Sequence, residues 1–365
     1  MTMRNKTRVF LAVVFISLLS VSICPADEAS FARVKKNDFI VNGENFKFIG
    51  ANAVNLVFYD DWGLDAEKAI REAKDNNISV LRLYLDWGWG KIEDYDTILE
   101  LASKYGVYVI LVLTDCCCSC DSQSLEDYFK KAPFCNVNDR QAVKAFKNRV
   151  KELLERKNHL NGKLYKDDPV IFAWEVANEL EYWHFSESEV KNWIKELAGY
   201  IKSIDRNHLV TIGIGTDNSK FDKGGELYGL FNIPELDFYS LHFYPSSSVS
   251  SGGRLAFKSD YARQIKFRIK KFISMGKPVI MEEFGLSNSS GINDDFRSKQ
   301  PEFYNSVFKK IMDTSFSSGA SGVMFWGWGV PEEKRVPMWW SNESHSQADN
   351  RFCEFIKEYK ISPGK

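Results

Sequence analysis

The chain has 365 residues, 44% hydrophobic and 14% aromatic, which suits a single domain with a barrel-sized core and excludes a disordered or fibrous chain. Its 48 basic and 49 acidic residues give a formal net charge of -1 with no polybasic stripe. That balance argues against a nucleic acid or a membrane surface as partner and favours an uncharged one.

In chain order, Arg4, Lys6 and Arg8 precede the apolar run Val9 to Ile23 and then Cys24-Pro25-Ala26, the pattern of an export signal. Residues 1–26 are accordingly read as a signal peptide and residues 27–365 as one catalytic domain. The apolar run is short for a membrane span, so a secreted protein is expected, with lipid anchoring through Cys24 as the lesser alternative. Beyond it lie Cys116, Cys117, Cys118, Cys120, Cys135 and Cys353, an even number that fits disulfides in an oxidising compartment. The sequence leaves their connectivity open. A structural zinc site is the competing reading, although two separated C-x-x-C pairs are lacking.

Phe39-Ile40-Val41 and Phe46-Lys47-Phe48 flank Asn42-Gly43-Glu44-Asn45, a hairpin signal because Asn-Gly adopts positive φ cheaply. Eight short apolar runs follow at Phe48 to Ala51, Val80 to Tyr84, Val107 to Leu113, Val170 to Trp174, Leu209 to Ile214, Phe238 to Leu241, Val279 to Met281 and Gly322 to Trp326. Amphipathic stretches separate them at Asp65 to Asn76, Asp94 to Tyr105, Asp139 to Lys157, Glu187 to Ile204, Ser259 to Met275 and Glu302 to Phe316, with a last one at Asp349 to Tyr359. Several open on Asp or Ser, as helix caps do. The interval after the fifth run is the least regular and offers only the short Gly225 to Phe231. Continuously apolar strands alternating with helices describe a parallel sheet covered on both faces. The eight units therefore predict an α/β fold, a (β/α)8 TIM barrel with a short N-terminal β-hairpin. An open doubly wound sheet is the alternative, disfavoured because no G-x-G-x-x-G follows the first strand.

Chemistry in such barrels sits at the C-terminal strand ends. Those ends carry Arg82 on the second strand, Asp115 on the third, Asn178 and Glu179 on the fourth, His242 and Tyr244 on the sixth, Glu283 on the seventh and Trp326 on the eighth. Carboxylates on strands four and seven face one another across the mouth, as cleavage of a glycosidic bond requires. One must be neutral to protonate the leaving oxygen, and the other ionised to attack the anomeric carbon. Glu179 is read as the acid/base and Glu283 as the nucleophile, with Arg82 and Tyr244 as donors that keep Glu283 charged and Asn178 placed for a sugar 2-hydroxyl. His242 is favoured as a site residue over a core histidine. Glu175 is expected to support the site, and Asp115 stands evenly between site and structure. Alternation along the seventh strand should turn Glu282 away from the axis if Glu283 faces it.

The stretch Tyr165-Lys166-Asp167-Asp168-Pro169-Val170-Ile171-Phe172-Ala173-Trp174-Glu175-Val176-Ala177-Asn178-Glu179 resembles the acid/base strand of glycoside hydrolase family 5, and in particular its β-mannanases. Ser203 to Thr211, Asp237 to Pro245 and Lys277 to Gly285 resemble the family's later motifs in the same order, so the likeness runs from about Phe39 to Trp328. It implies a barrel, retention of anomeric configuration and endo attack on β-1,4-linked mannan, glucomannan or galactomannan. It also implies that the nucleophile is Glu283, the glutamate immediately before Phe284-Gly285. The chain departs from the pattern in three places. Leu180-Glu181-Tyr182-Trp183 stands where Pro-Arg commonly follows, Ser246-Ser247-Ser248 replaces an Asp-x-Trp ending, and Phe325-Trp326-Gly327-Trp328-Gly329 replaces Phe-Trp-Gln. An endo-β-1,4-glucanase is therefore the alternative enzyme, and a non-catalytic carbohydrate-binding barrel the alternative of another class.

Ten Trp, 15 Tyr and 27 Phe exceed what a core needs, and exposed rings suit the flat faces of sugars. Trp326 is expected at the floor of the subsite for the scissile sugar. About half of Trp62, Trp87, Trp89, Trp183, Trp328, Trp339 and Trp340 are expected to line further subsites and the rest to pack. No metal or cofactor is expected, since the five His show no H-E-x-x-H spacing, and G-x-S-x-G is also lacking. The expected partner is a polysaccharide substrate, bound by a monomer.

Overall fold

The computed structural model describes residues 31–59, 65–85, 91–117, 130, 132–180, 185–215, 227–245, 247–249, 255–257, 260–286, 301–328 and 350–361. The segment read as an export signal, Cys118, Cys120 and the tryptophans at 62, 87, 89, 183, 339 and 340 lie outside these residues.

The first sheet is antiparallel: β1 (Arg33–Lys35), β2 (Asp38–Val41) and β3 (Glu44–Phe46), in that order. The hairpin turns on Asn42 and Gly43, with φ of 51° and 82°, the two positive values that a tight two-residue turn demands. The predicted turn is thus two residues shorter at its C-terminal side, and β1 is an additional strand that the hairpin signal did not reveal.

The barrel strands are β4 (Phe48–Asn52), β5 (Ile78–Tyr84), β6 (Tyr108–Val112), β7 (Ile171–Glu175), β8 (Leu209–Thr211), β9 (Gly213–Gly215), β10 (Tyr239–Phe243), β13 (Val279–Phe284) and β14 (Gly322–Trp326), with a small antiparallel pair, β11 (Ser247–Val249) and β12 (Leu255–Phe257), between β10 and β13. Every barrel pairing is parallel, in the order β8-β7-β6-β5-β4-β14-β13-β10-β9. The two ends of that order, β8 and β9, are consecutive in the chain and separated only by Ile212. The fifth predicted run is therefore one strand that pairs with β7 through its first half and with β10 through its second, and this closes the ring.

Helices occupy the predicted intervals. They include Ala66–Asp75, capped by the Asp65 side chain, Arg140–Leu154, capped by Asp139, and Glu187–Ile204, capped by a Ser186/Glu189 box. The irregular fifth interval holds the four-residue helix Leu227–Leu230. The strand side chains split by parity. Leu81 and Leu83, Val109 and Leu111, and Val323 and Phe325 pack outward under the helices. Val80, Ile110, Ala173, Leu209, Ile280 and Met324 point inward and fill the N-terminal end of the barrel. Phe39 of the hairpin closes that end, with its ring centroid 5.0 Å from Phe172 and 5.1 Å from Phe238. One end of the barrel is sealed with aromatic surface, and the polar inward positions are confined to the other.

Two cysteines, Cys116 and Cys135, form a disulfide across a sequence separation of 19. It fastens the segment after β6 to the short turn Pro133–Cys135. Of the competing readings of the cysteines, the disulfide holds for this pair.

Candidate active site

Several inward rows end in a polar residue at the C-terminal mouth. On β5 the row Val80, Arg82, Tyr84 puts a guanidinium at the centre of the barrel, fully buried. Its Nε and Nη2 donate to the two oxygens of Glu175 at 2.7 and 2.6 Å, a fork-to-fork pair, and Nη2 also donates to Asn178 Oδ1 at 2.8 Å. Nη1 donates to Asn52 Oδ1 at 2.9 Å, to the Tyr84 hydroxyl at 2.8 Å and to Glu283 Oε1. Burial alone would lower the Arg82 pKa, but the charge of Glu175 and its neighbours holds it well above the ordinary value. Arg82 is a permanent cation. Glu175, the expected supporting residue, is its main counter-ion. Burial, reinforced by the charge of Glu282, pushes the Glu175 carboxyl upward, and the bidentate Arg82 guanidinium works against that shift.

Glu283 receives three donors: Arg82, Tyr244 at 2.9 Å to Oε2, and Tyr84 at 3.2 Å to Oε1. The first two were expected from the sequence. Tyr84 was not, although it follows Arg82 at the strand spacing of two that brings side chains to the same face. Asn178 fixes its amide by donating to Asp115 at 2.9 Å while accepting from Arg82, so Asp115 acts here as the orienting partner of Asn178.

One expectation fails. Glu282 does not turn outward. Alternation from the inward Ile280 brings Glu282 to the interior, where it is fully buried. The register of β13 against β10 then slips, Leu241 facing Met281 and His242 facing Glu283, and this slip turns Glu283 inward as well. Glu282 lies behind Glu283, with Oε1 3.7 Å from Arg82 Nε and Oε2 3.2 Å from His242 Nε2. Its Oε1 has no hydrogen-bond partner among the described residues.

Glu179 follows β7 with a φ of 44°, a left-handed conformation that costs a non-glycine residue strain and is typical of functional positions. Its Oε1 meets His242 Nδ1 at 2.6 Å, and its Oε2 accepts from the Cys117 thiol at 3.0 Å. The backbone opposite is glycine for a reason. A Cβ at Gly213 would stand 2.5 Å from Glu175 Oε1 and 3.1 Å from the His242 ring, and one at Gly215 would stand 3.2 Å from the Glu179 carboxyl carbon.

His242 bridges the cluster, each ring nitrogen against a carboxylate oxygen, which requires both to donate. Burial works against its charge, but Glu283 and Glu179 outweigh it and push its pKa up to about 10. Burial likewise raises the carboxyl of Glu179. There the His242 charge and the hydrogen bonds from His242 and Cys117 win, and the group is held below the ordinary value. Glu283 moves the other way, since burial, with the charge of Glu179, raises it against His242 and Arg82. His242 and Glu179 thus share a proton across one hydrogen bond, and the pair titrates as a unit.

Ligand atoms of Glu179, His242 and Glu283, and of Glu175, His242 and Glu282, lie within 4.8 Å of one another. Both ring nitrogens of His242 already face carboxylates as donors, and a guanidinium fills the centre, so these clusters read as a proton network rather than a metal cage. Trp326 ends β14 half-buried at the mouth, edge-on to Tyr84 with centroids 6.4 Å apart. Trp328 is packing, its indole nitrogen donating to the Ala69 carbonyl at 2.9 Å.

Residues 63–351 match the family model described as GH family 5 beta-mannosidase-like. The chain is 27% identical over 355 residues to mannan endo-1,4-beta-mannosidase 1 of Arabidopsis thaliana, covering 83% of each chain. It is 28% identical to mannan endo-1,4-beta-mannosidase 1 of Oryza sativa subsp. japonica, over 82% of this chain and 79% of that one. Its fold superposes on the endo-1,4-beta-mannanase of Rhizomucor miehei with a TM-score of 0.68 at 23% identity, covering 90% and 98% of the two chains.

Proposed function

Because this chain belongs to glycoside hydrolase family 5, we propose that it is an endo-acting, configuration-retaining hydrolase of β-1,4-mannans in which Glu179 is the acid/base and Glu283 the nucleophile. The carboxylate separation carries the mechanistic half of this reading. An oxygen of Glu179 and one of Glu283 lie within 4.8 Å of each other, nearer the roughly 5 Å of retaining enzymes than the roughly 6.5 to 9.5 Å of inverting ones. The curated relatives, named as mannan endo-1,4-beta-mannosidases over four fifths of their length, support the substrate class.

The chemistry follows from the network. A mannan chain lying across the mouth places its anomeric carbon against Glu283 Oε2, and Arg82, Tyr84 and Tyr244 hold that carboxylate in the orientation for attack. The leaving oxygen takes its proton from the Glu179–His242 pair. As Glu283 becomes an ester its charge disappears, which removes one of the two anions that hold His242 protonated. Glu179 then draws a proton from water, and the hydroxide equivalent releases the sugar with its original configuration. Asn178, braced by Arg82 and Asp115, presents its amide toward the sugar 2-hydroxyl. The Cys116–Cys135 bridge and the apolar leader in the sequence support secretion.

Reducing-end release from galactomannan, glucomannan and carboxymethylcellulose tests the substrate. The expected order is activity on both mannans at least about ten times that on carboxymethylcellulose, a discrimination of modest size because the sugars differ at one hydroxyl. Preference for carboxymethylcellulose would make the chain a glucanase, and no release from any of the three would make it a binding barrel.

A further inference from the structure

We propose that the Cys117 thiol is a positioning residue for the acid/base, holding Glu179 Oε2 while His242 holds Oε1. The inference rests on the reading of Glu179 as acid/base, and the arrangement is built into the barrel. Beyond the end of β6, Asp115 bridges to Asn178 in parallel, and the Cys116 amide donates to the Asn178 carbonyl at 2.9 Å. These contacts continue the β6–β7 pairing by a turn of chain, so that residue 117 comes to lie beside residue 179. Two restraints fix it there. The Cys117 amide donates to Asp115 Oδ1 at 2.9 Å, and the preceding residue is tied through the Cys116–Cys135 disulfide. The Sγ then stands 3.0 Å from Glu179 Oε2.

An S–H donor is weak, and that suits the position. Glu179 must give its proton to a leaving oxygen and later recover one, so a strong permanent donor on Oε2 would hold the carboxylate too firmly. The thiol fixes the rotation of the carboxyl group and favours its charged form modestly, in the same sense as the hydrogen bonds that hold Glu179 low. Among the described residues, the other titratable groups of the site are His242 on β10, Glu283 and Glu282 on β13, Arg82 and Tyr84 on β5, Glu175 on β7, Asp115 beyond β6, and Tyr244; of these His242 bonds Glu179, at Oε1.

The experiment is the pH profile of kcat/KM on soluble galactomannan for the wild type, Cys117→Ala and Cys117→Ser. The alkaline limb reports the pair that must be protonated. Loss of a donor to the carboxylate raises that pKa, so Cys117→Ala moves the limb to higher pH by about half a unit or more, with a lower kcat and little change in KM. Cys117→Ser retains a donor and keeps the limb at the wild-type position. An unmoved limb in Cys117→Ala, or the same upward shift in Cys117→Ser, overturns the proposal. If Cys117→Ala does not fold, methyl methanethiosulfonate caps the thiol in the folded wild type, with treated Cys117→Ser as control for the other cysteines. The same upward shift is expected in the wild type alone, and its absence counts against the proposal. Glu179→Gln separates the two readings. If it retains mannanase activity, the assignment of Glu179 itself fails; if it is inactive while the limb ignores Cys117, only the present inference fails.

Discussion

Replacement of Glu283 by Ala is expected to lower kcat on mannan by roughly 10^4-fold or more, the scale seen when a nucleophile is removed from a site whose members act as a unit. The loss follows from geometry. Glu283 is the carboxylate to which Arg82, Tyr84 and Tyr244 all donate, and no other carboxyl receives that set. Glu282 is one residue away and equally inside the barrel, but it lies behind His242 and Arg82, fully buried. It is not placed to substitute. The variant should fold with a melting temperature no lower than the wild type, because Glu283 is a buried acid whose charge burial disfavours. Steady-state hydrolysis together with thermal unfolding checks both halves. Retention of more than about a tenth of the activity would move the nucleophile elsewhere.

Arg82 carries the second large effect. Six hydrogen bonds connect it to Glu175, Asn178, Asn52, Tyr84 and Glu283. Substitution by Met fills the space but leaves two buried carboxyls without their cation, at a cost of about 3 to 5 kcal/mol in unfolding free energy. Arg82→Lys keeps a charge but loses the fork. Its ammonium cannot serve Glu175, Asn178 and Glu283 together, and kcat should fall on the order of 100-fold. The direction of the pH effect follows from the charge. Arg82 lowers the pKa of Glu283, so weakening it raises that pKa, and the acid limb of kcat/KM moves to higher pH. Denaturant unfolding of Arg82→Met and the pH–rate profile of Arg82→Lys are the measurements. Wild-type stability in the first, or an unmoved acid limb in the second, would reduce Arg82 to a bystander.

The meeting of Glu179 and Glu283 at one mouth was legible in the sequence because strand ends can be counted: six of the eight apolar runs stop at a chemistry-bearing residue, and the barrel turns that list into a ring. Arg82, Asn178, His242, Tyr244 and Trp326 reach the same mouth for that reason. What escaped depends on departures from regularity. The slip of β13 against β10 brings two consecutive glutamates to the interior, which strict alternation forbids, and no local signal marks it. Tyr84 was within reach, two residues beyond Arg82 on one face, but its aromatic ring reads equally well as core. Cys117 was counted as disulfide material, and its role at Glu179 arises from the bridge between Asp115 and Asn178, a contact between segments 63 residues apart in the chain. The split of the fifth strand at Ile212 carries no sequence signal either, and the glycine at 213 is needed to leave room for Glu175 and His242. Asn52 shows the same limit. It ends β4 one residue past the predicted run, and its partners, Arg82 and the Glu282 and Phe325 carbonyls, belong to three other strands.

The stereochemistry of the first product tests the central claim most directly. Proton NMR of a mannan oligosaccharide during the first minutes of hydrolysis distinguishes the anomers of the new reducing end before mutarotation mixes them. With carboxylate oxygens of Glu179 and Glu283 within 4.8 Å of each other, two displacements at one carbon are predicted, and the β-anomer should appear first with the α-anomer growing in later. An α-anomer formed first would mean a single displacement by water and would contradict the assignment of Glu283 as a nucleophile.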